Sequence, residues 1–204
     1  MESLSLGLDL ADSTMNLLPQ DGCVNYWGKV FSETESLKYY EIFMHEIDWR
    51  NDEAFIYGKH YITKRKVAWY GDQAYPYSYS GKTRIALAWT QTLLVLKQKA
   101  EKLCDCEFNS CLLNLYPSGE EGMAWHSDDE PSLQKHSEIA SFSFGAERKF
   151  AFKHKTLGIK VELRLENGSL LLMKESTQTH WRHRLPPTKK INSPRINLTF
   201  RKMK

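Results

Sequence analysis

The spacing of apolar positions changes near Cys104 from a helical period to an alternating one. Over residues 34–47, Leu37, Phe43 and Met44 recur by helical turns, with Glu33, Glu35 and Glu41 early. Ser32 or Thr34 can cap this first helix. A second helix is predicted from about Thr83 to Leu103. It packs through Leu93, Leu94 and Leu96 and closes on Lys97, Lys99 and Lys102, where cations suit the helix dipole. Beyond Cys104 the pattern becomes a series of short strands. They are Leu112–Tyr116, Ile139–Phe144, Lys149–Lys153, an alternating Ile159–Leu165, Ser169–Met173, Trp181–Leu185 and Arg195–Arg201. Asn167-Gly168 between two of these runs predicts a hairpin. Helices followed by about eight short strands predict an α+β chain, a helix-buttressed antiparallel sandwich or jelly roll. Residues 1 to about 30 show no clear period and read as an N-terminal arm before a single domain over 31–204.

Composition narrows the classes. A formal net charge of +3 permits a nucleic-acid partner without requiring one. The four cysteines form no paired framework, and Cys104-x-Cys106 is too tight for zinc spacing, so reduced thiols in a cytoplasmic setting are expected. No apolar run is long enough to span a membrane, and Met1–Leu18 lacks the basic-then-apolar order of a leader.

Two patterns carry chemistry. In the last strand, Ile196, Leu198 and Phe200 share one face, and Arg195, Asn197, Thr199 and Arg201 share the other. Two guanidiniums on one face repel unless an anion lies between them, and a small dicarboxylate suits them. His126-x-Asp128 can present an imidazole and a carboxylate to one ion. Seven histidines and 25 acids give about one His-x-acid by chance, and a second, His136-x-Glu138, is present. His126 and Asp128 follow a glycine-punctuated turn where the chain leaves the sheet, whereas Glu138 opens an apolar strand. A third ligand would come from His180 or His183. Two histidines and a carboxylate leave one face of an ion open, as in non-haem Fe(II) oxygenases. Asn114 and Tyr116, on one face of their strand, can donate to a 2-oxo acid held there.

Asn114-Leu115-Tyr116, His126-x-Asp128-Asp129-Glu130, Ser143-Phe144-Gly145, His183-Arg184 and Arg195-x-Asn197-Leu198-Thr199-Phe200-Arg201 together resemble the AlkB family of oxidative nucleic-acid demethylases, over roughly residues 55–204. The resemblance implies a double-stranded β-helix core at about 105–204 and an Fe(II)/2-oxoglutarate-dependent dioxygenase. It implies His126, Asp128 and His183 as iron ligands, and Asn114, Tyr116, Arg195, Asn197, Thr199 and Arg201 around 2-oxoglutarate. It also implies a nucleotide-recognition lid at about 55–81. There Tyr77, Ser78 and Tyr79 would flank a flipped base with the His126 ring opposite, and Asp129 would attract a cationic N-methylated base. Tyr57 would fill the gap in a duplex, with Lys59 beside it, and Lys64, Arg65 and Lys66 would neutralise phosphates. The implied activity is removal of N-alkyl groups such as those of 1-methyladenine and 3-methylcytosine, consuming dioxygen and releasing formaldehyde. DNA stands ahead of RNA as partner, and the enzyme would be a monomer in the cytoplasm, or in the nucleus of a eukaryote. Two other readings are an oxygenase of proteins or small metabolites, and a non-catalytic nucleic-acid-binding jelly roll.

Overall fold

The computed structural model describes residues 4–5, 14–56, 59–79 and 82–204, of which 4–5, 54–56, 59, 77–79 and 82–84 are described by their backbone alone. Two sheets face each other. One has seven strands in the order β2-β12-β9-β14-β7-β4-β3, and the other five in the order β1-β11-β10-β13-β8. The ranges are β1 Leu4–Ser5, β2 Cys23–Lys29, β3 Arg50–Ile56, β4 Lys59–Gly71, β7 Ser110–Tyr116, β8 Met123–His126 and β9 Ile139–Gly145. The rest are β10 Arg148–His154, β11 Lys160–Leu165, β12 Ser169–Lys174, β13 Trp181–Leu185 and β14 Arg195–Arg201. A separate ribbon pairs β5 (Pro76–Tyr79) with β6 (Lys82–Ile85). From β7 to β14 the chain passes back and forth between the two sheets, except at β10 and β11, which pair as neighbours in the smaller one; this is the expected jelly roll.

The helices α1 (Glu33–Glu46) and α2 (Gln91–Cys104) cover the outer face of the larger sheet. Ser32 caps α1 through a reciprocal box. Its backbone N–H donates to Glu35 Oε2 at 2.8 Å, and Glu35 N donates to Ser32 Oγ at 3.2 Å. Phe43 then packs on Tyr39 and Phe144, whose rings in turn meet Phe31. Ile196, Leu198 and Phe200 of β14, with Leu113 and Leu115 of β7, join this outer core together with Leu93, Leu96 and Ala100 of α2. A second core, containing Val24, Phe152, Val161, Leu171 and Trp181, fills one end of the space between the sheets.

Three expectations change. The second helix begins at Gln91, not near Thr83, because the Thr90 hydroxyl accepts from Leu93 N at 3.2 Å while Lys82–Ile85 pair with Pro76–Tyr79. Asn167-Gly168 does not close a hairpin: β11 pairs with β10 and β1, whereas β12 lies between β2 and β9. The reason lies in burial. β11 alternates exposed and buried positions, but β12 is apolar on both faces and belongs in mid-sheet. Within the stretch expected as an arm, Cys23–Lys29 form a strand of the larger sheet, paired with β12.

The α3 turn (Thr177–His180) leads into β13, and a further helical residue, Gln178, accepts from Asp128 N at 2.9 Å.

Candidate active site

Strand alternation builds the site. The face of β14 opposite the helices turns Arg195, Asn197, Thr199 and Arg201 into the space between the sheets, all of them buried. Antiparallel register sets Arg195 against Tyr116 and Asn197 against Asn114 on β7. Across the gap, His183 of β13 is the Cα partner of His126 on β8, so the two rings meet edge to face with centroids 4.2 Å apart. His126 Nε2 lies 3.6 Å and His183 Nε2 3.9 Å from Asp128 Oδ1. One donor atom from each of the three residues falls within 4.8 Å of the others, a group that could hold a metal ion. His126 Nδ1 lies 2.8 Å from the Ala124 carbonyl, which orients Nε2 toward the cluster.

The electrostatics suit a cation. Burial pushes the His183 imidazole down to about 3, with the neighbouring His126 acting in the same direction, so its ring is neutral and able to ligate. Burial would raise Asp128, but Arg201, His183 and His126 together hold its carboxyl below the usual range. Arg201 Nη2 donates to Asp128 Oδ2 at 2.9 Å, which leaves Oδ1 toward the histidines.

The neighbouring end of the pocket suits an anion. Arg195 is 2% exposed, donates to Ser143 Oγ at 2.9 Å, and has no carboxylate partner among the described residues. Its Nε makes no hydrogen bond, and its guanidinium lies 5.6 Å from the Tyr116 ring centroid. Asn197 spends both amide hydrogens, on Ser141 Oγ and the Phe142 carbonyl, each at 2.8 Å, and accepts from Thr199 Oγ1 at 3.1 Å. Its part is therefore to hold Thr199 and the strand pair. Leu112, Met123, Phe150 and Leu185 supply apolar wall.

His180 lies outside the cluster; its ring stacks on His154 with centroids 6.2 Å apart. His136 faces the Glu175 carbonyl at 3.2 Å, well apart from the cluster. Asp129, expected beside the base, is absent from the pocket wall: it is 3.7 Å from Lys155, with its side chain 63% exposed. The adjacent Glu130 lines the pocket instead. Arg65, expected on phosphates, is buried against Asp52. Tyr57 lies outside the described residues. Lys59, Tyr77, Ser78 and Tyr79 fall on β4 and β5, with their side chains likewise outside them.

Sequence reasoning missed Arg148. It is 1% exposed and donates to the carbonyls of Ser118, Gly119, Glu121 and Pro186 at 2.9–3.1 Å, clamping the two loops that flank Tyr116. The only advance sign was parity: Arg148 falls on the same face of its strand as Phe150 and Phe152.

The match to known proteins follows this geometry. The model for the 2OG-Fe(II) oxygenase superfamily matches residues 24–201. The DNA oxidative demethylase ALKBH2 of Bos taurus is 35% identical over 97% of this chain and 75% of its own length. This chain belongs to the AlkB family of the 2OG-Fe(II) oxygenase superfamily. Another AlkB-family relative, the DNA oxidative demethylase ALKBH2 of Homo sapiens, is 41% identical over 72% of the chain. The alpha-ketoglutarate-dependent dioxygenase alkB homolog 3 of Bos taurus is 38% identical over 79%. The matched stretch spans 60% and 59% of these two relatives, so the chain covers less than two thirds of either. The structure of OsALKBH1 superimposes with a TM-score of 0.59 at 15% identity, over 91% of this chain and 99% of that one, a likeness of fold. Members of the 2OG-Fe(II) oxygenase superfamily are iron- and 2-oxoglutarate-dependent enzymes, as its name states. No helix among the described residues is long and apolar enough to cross a membrane.

Proposed function

We propose that this protein is an oxidative demethylase of N-alkylated bases in DNA. The observation that carries the reading is a buried guanidinium with no carboxylate partner, Arg195, in the same pocket as a cluster of two histidines and one carboxylate. That donor set fits a ferrous ion with an open face, and the neighbouring cation fits the far carboxylate of a 2-oxo acid. When bound, iron and 2-oxoglutarate supply the oxidation of an N-methyl group by dioxygen, with the keto acid leaving as succinate and carbon dioxide.

The chain's own residues do the rest. His126, Asp128 and His183 hold the metal, with Asp128 kept ionised by Arg201. Arg195, Tyr116 and Asn114 clasp the keto acid, with Arg201 and Thr199 at its other side and Asn197 holding Thr199 in place. Phe150, Leu112 and Leu185 keep the pocket apolar around the reacting carbon. The hydroxymethyl product breaks its C–N bond, returning the base and releasing formaldehyde. Tyr57, Lys59, Tyr77, Ser78 and Tyr79 are the proposed substrate contacts, with Glu130 on the pocket wall and Asp129 at its exposed rim.

A polyanionic substrate is supported on the outer face of the smaller sheet. Lys153 is the Cα partner of Lys160 on one side and of Arg182 on the other. This row of three exposed cations has no carboxylate partner among the described residues, whereas Lys149 and Arg164, paired two rows further along the same face, are held by Glu162 and Glu147. Like charges directly opposite one another destabilise a sheet, and phosphates would offset that. Nearby, Arg184 lies over the Trp125 ring at 4.6 Å. A nucleic-acid enzyme of this kind would work as a monomer in the compartment that holds its substrate.

Anaerobic titration with Fe(II) and then 2-oxoglutarate is expected to give a visible charge-transfer band. Formaldehyde should follow when air and an oligodeoxynucleotide carrying 1-methyladenine are added. A band without formaldehyde on DNA, but with formaldehyde on matched RNA, would move the substrate to RNA. No band, and no formaldehyde on either, would overturn the reading.

A further inference from the structure

The root of the β3–β4 hairpin holds a buried ion pair that the metal and cosubstrate chemistry does not use. Asp52 on β3 is 3% exposed and Arg65 on β4 is 7% exposed, and Arg65 Nη2 donates to Asp52 Oδ2. The pairing of the strands slips here: Asn51 faces Lys66, but Glu53 faces Ile62. The slip is a bulge holding Thr63, Lys64 and Arg65. The Thr63 hydroxyl closes it against the carbonyls of Asp52 and Arg65, at 3.1 and 3.2 Å. A bulge re-aims side chains. Lys64 points out, its side chain 77% exposed, while Arg65 turns in toward the pocket.

What it meets there is specific. Arg65 Nη1 contacts Met123 Sδ, and the guanidinium faces the Tyr116 phenol, which with Asp52 keeps it fully charged despite burial. Register agrees, since Lys66 is the Cα partner of Leu115, so Arg65 lies beside Tyr116. Met123 and Tyr116 both line the pocket. A buried ion pair contributes little net stability compared with apolar residues of the same shape, because both charges lose their water. What it does contribute is a fixed geometry.

We propose that Asp52 and Arg65 are a positioning pair for Tyr116. Arg65 donates to the phenol oxygen, so the phenol proton is left for an acceptor in the pocket, the carboxylate of the keto acid. Asp52 neutralises Arg65, so that this cation does not compete with Arg195 for that carboxylate. The hairpin proposed to enter the nucleic acid and the cosubstrate pocket then share one ion pair. This inference rests on the reading that Tyr116 contacts 2-oxoglutarate.

The test is calorimetric titration of 2-oxoglutarate into the full chain loaded with Mn(II), without turnover. Arg65→Met is expected to weaken binding about tenfold in the native background and not at all in a Tyr116→Phe background, since one donor acts through the other. Arg65→Lys should recover part of the loss. Should Arg65→Met fold poorly, Asp52→Leu combined with Arg65→Met removes both charges and is expected to show the same dependence on Tyr116. Equal weakening in both backgrounds, or no weakening from Arg65→Met, overturns the positioning role. A wild-type protein that binds no 2-oxoglutarate would overturn the cosubstrate reading beneath it instead.

Discussion

Asp128 serves two partners with two oxygens. Oδ1 faces the histidines and Oδ2 accepts from Arg201. Asp128→Ala therefore removes a metal ligand and also takes a carboxylate away from a buried guanidinium. Formaldehyde release should vanish, and the metal-free protein should lose about 3–5 kcal/mol in urea denaturation, the cost of breaking one half of a buried pair. Asp128→Asn keeps an acceptor for Arg201, so it should abolish turnover with a smaller stability loss. If the two variants are equally stable, Arg201 does not depend on this acceptor. His183 sets the acid side. Its folded value of about 3 lies below the ordinary 6.5, so between these limits the unfolded chain binds the extra proton. Stability from this group is present above the unfolded value and is lost as pH falls through the window. At pH 5 that loss is about 2 kcal/mol relative to pH 8. Asp128, lowered below its ordinary 3.8, adds to the loss only at still lower pH. Denaturation of metal-free protein at pH 5, 6 and 7 should show the slope, and His183→Asn should flatten it.

Gly168 decides how one element reaches the next. It sits at φ +74°, and a Cβ there would run into Ser36 Oγ of α1. Its carbonyl also accepts from Val30 N at 2.8 Å and from Phe31 N at 3.3 Å. Gly168→Ala is expected to cost about 1–3 kcal/mol, through backbone strain and displacement of α1, with the pocket distances unaffected. A fall in melting temperature with unchanged 2-oxoglutarate affinity checks this. The same turn shows what the sequence could reveal about the fold. Asn-Gly announced a turn correctly, but a turn does not say whether the next strand joins the same sheet. The unbroken Leu170–Met173 run was the better signal, because only a strand covered on both faces is apolar throughout. β14 was legible from end to end and β7 from Leu112 onward, since strict alternation sets Arg195 opposite Ile196 and Tyr116 opposite Leu115 within each strand, but bringing Arg195 and Tyr116 to one face of the sheet took the β7–β14 register. The metal cluster was only half legible. His126-x-Asp128 is local, but the residues alone left His180 and His183 open; the family resemblance chose His183, and the β8–β13 register is what sets it opposite His126. Arg65 was illegible because a Lys-Arg-Lys run reads as surface, and the bulge that turns its middle member inward depends on a partner strand.

Across the whole molecule, charge is distributed to favour a long anion at one face. With a formal net charge of only +3, three cations in register on adjacent strands, Arg182, Lys153 and Lys160, are a local excess that the sheet itself opposes. The residue after Arg182, His183, is the Cα partner of His126 on the edge strand β8, so the row approaches the sheet edge beside the pocket. Lys153, at the centre of the row, is the position that separates stability from binding. Lys153→Glu puts an acid between two cations, and should stabilise the protein by about 0.5 kcal/mol. The same change should weaken binding to a methylated oligonucleotide, and Lys153→Ala should reduce the slope of log K against log salt by about 0.7–0.9, the value of one lost phosphate contact. Turnover of the free nucleoside, which has no phosphate to reach the row, should stay at the wild-type rate. A solvated sheet face with no role would give a stability gain but an unchanged salt slope. A row that supports the fold would give a stability loss. Only a row held against its own repulsion for a phosphate backbone makes the more stable variant the weaker binder.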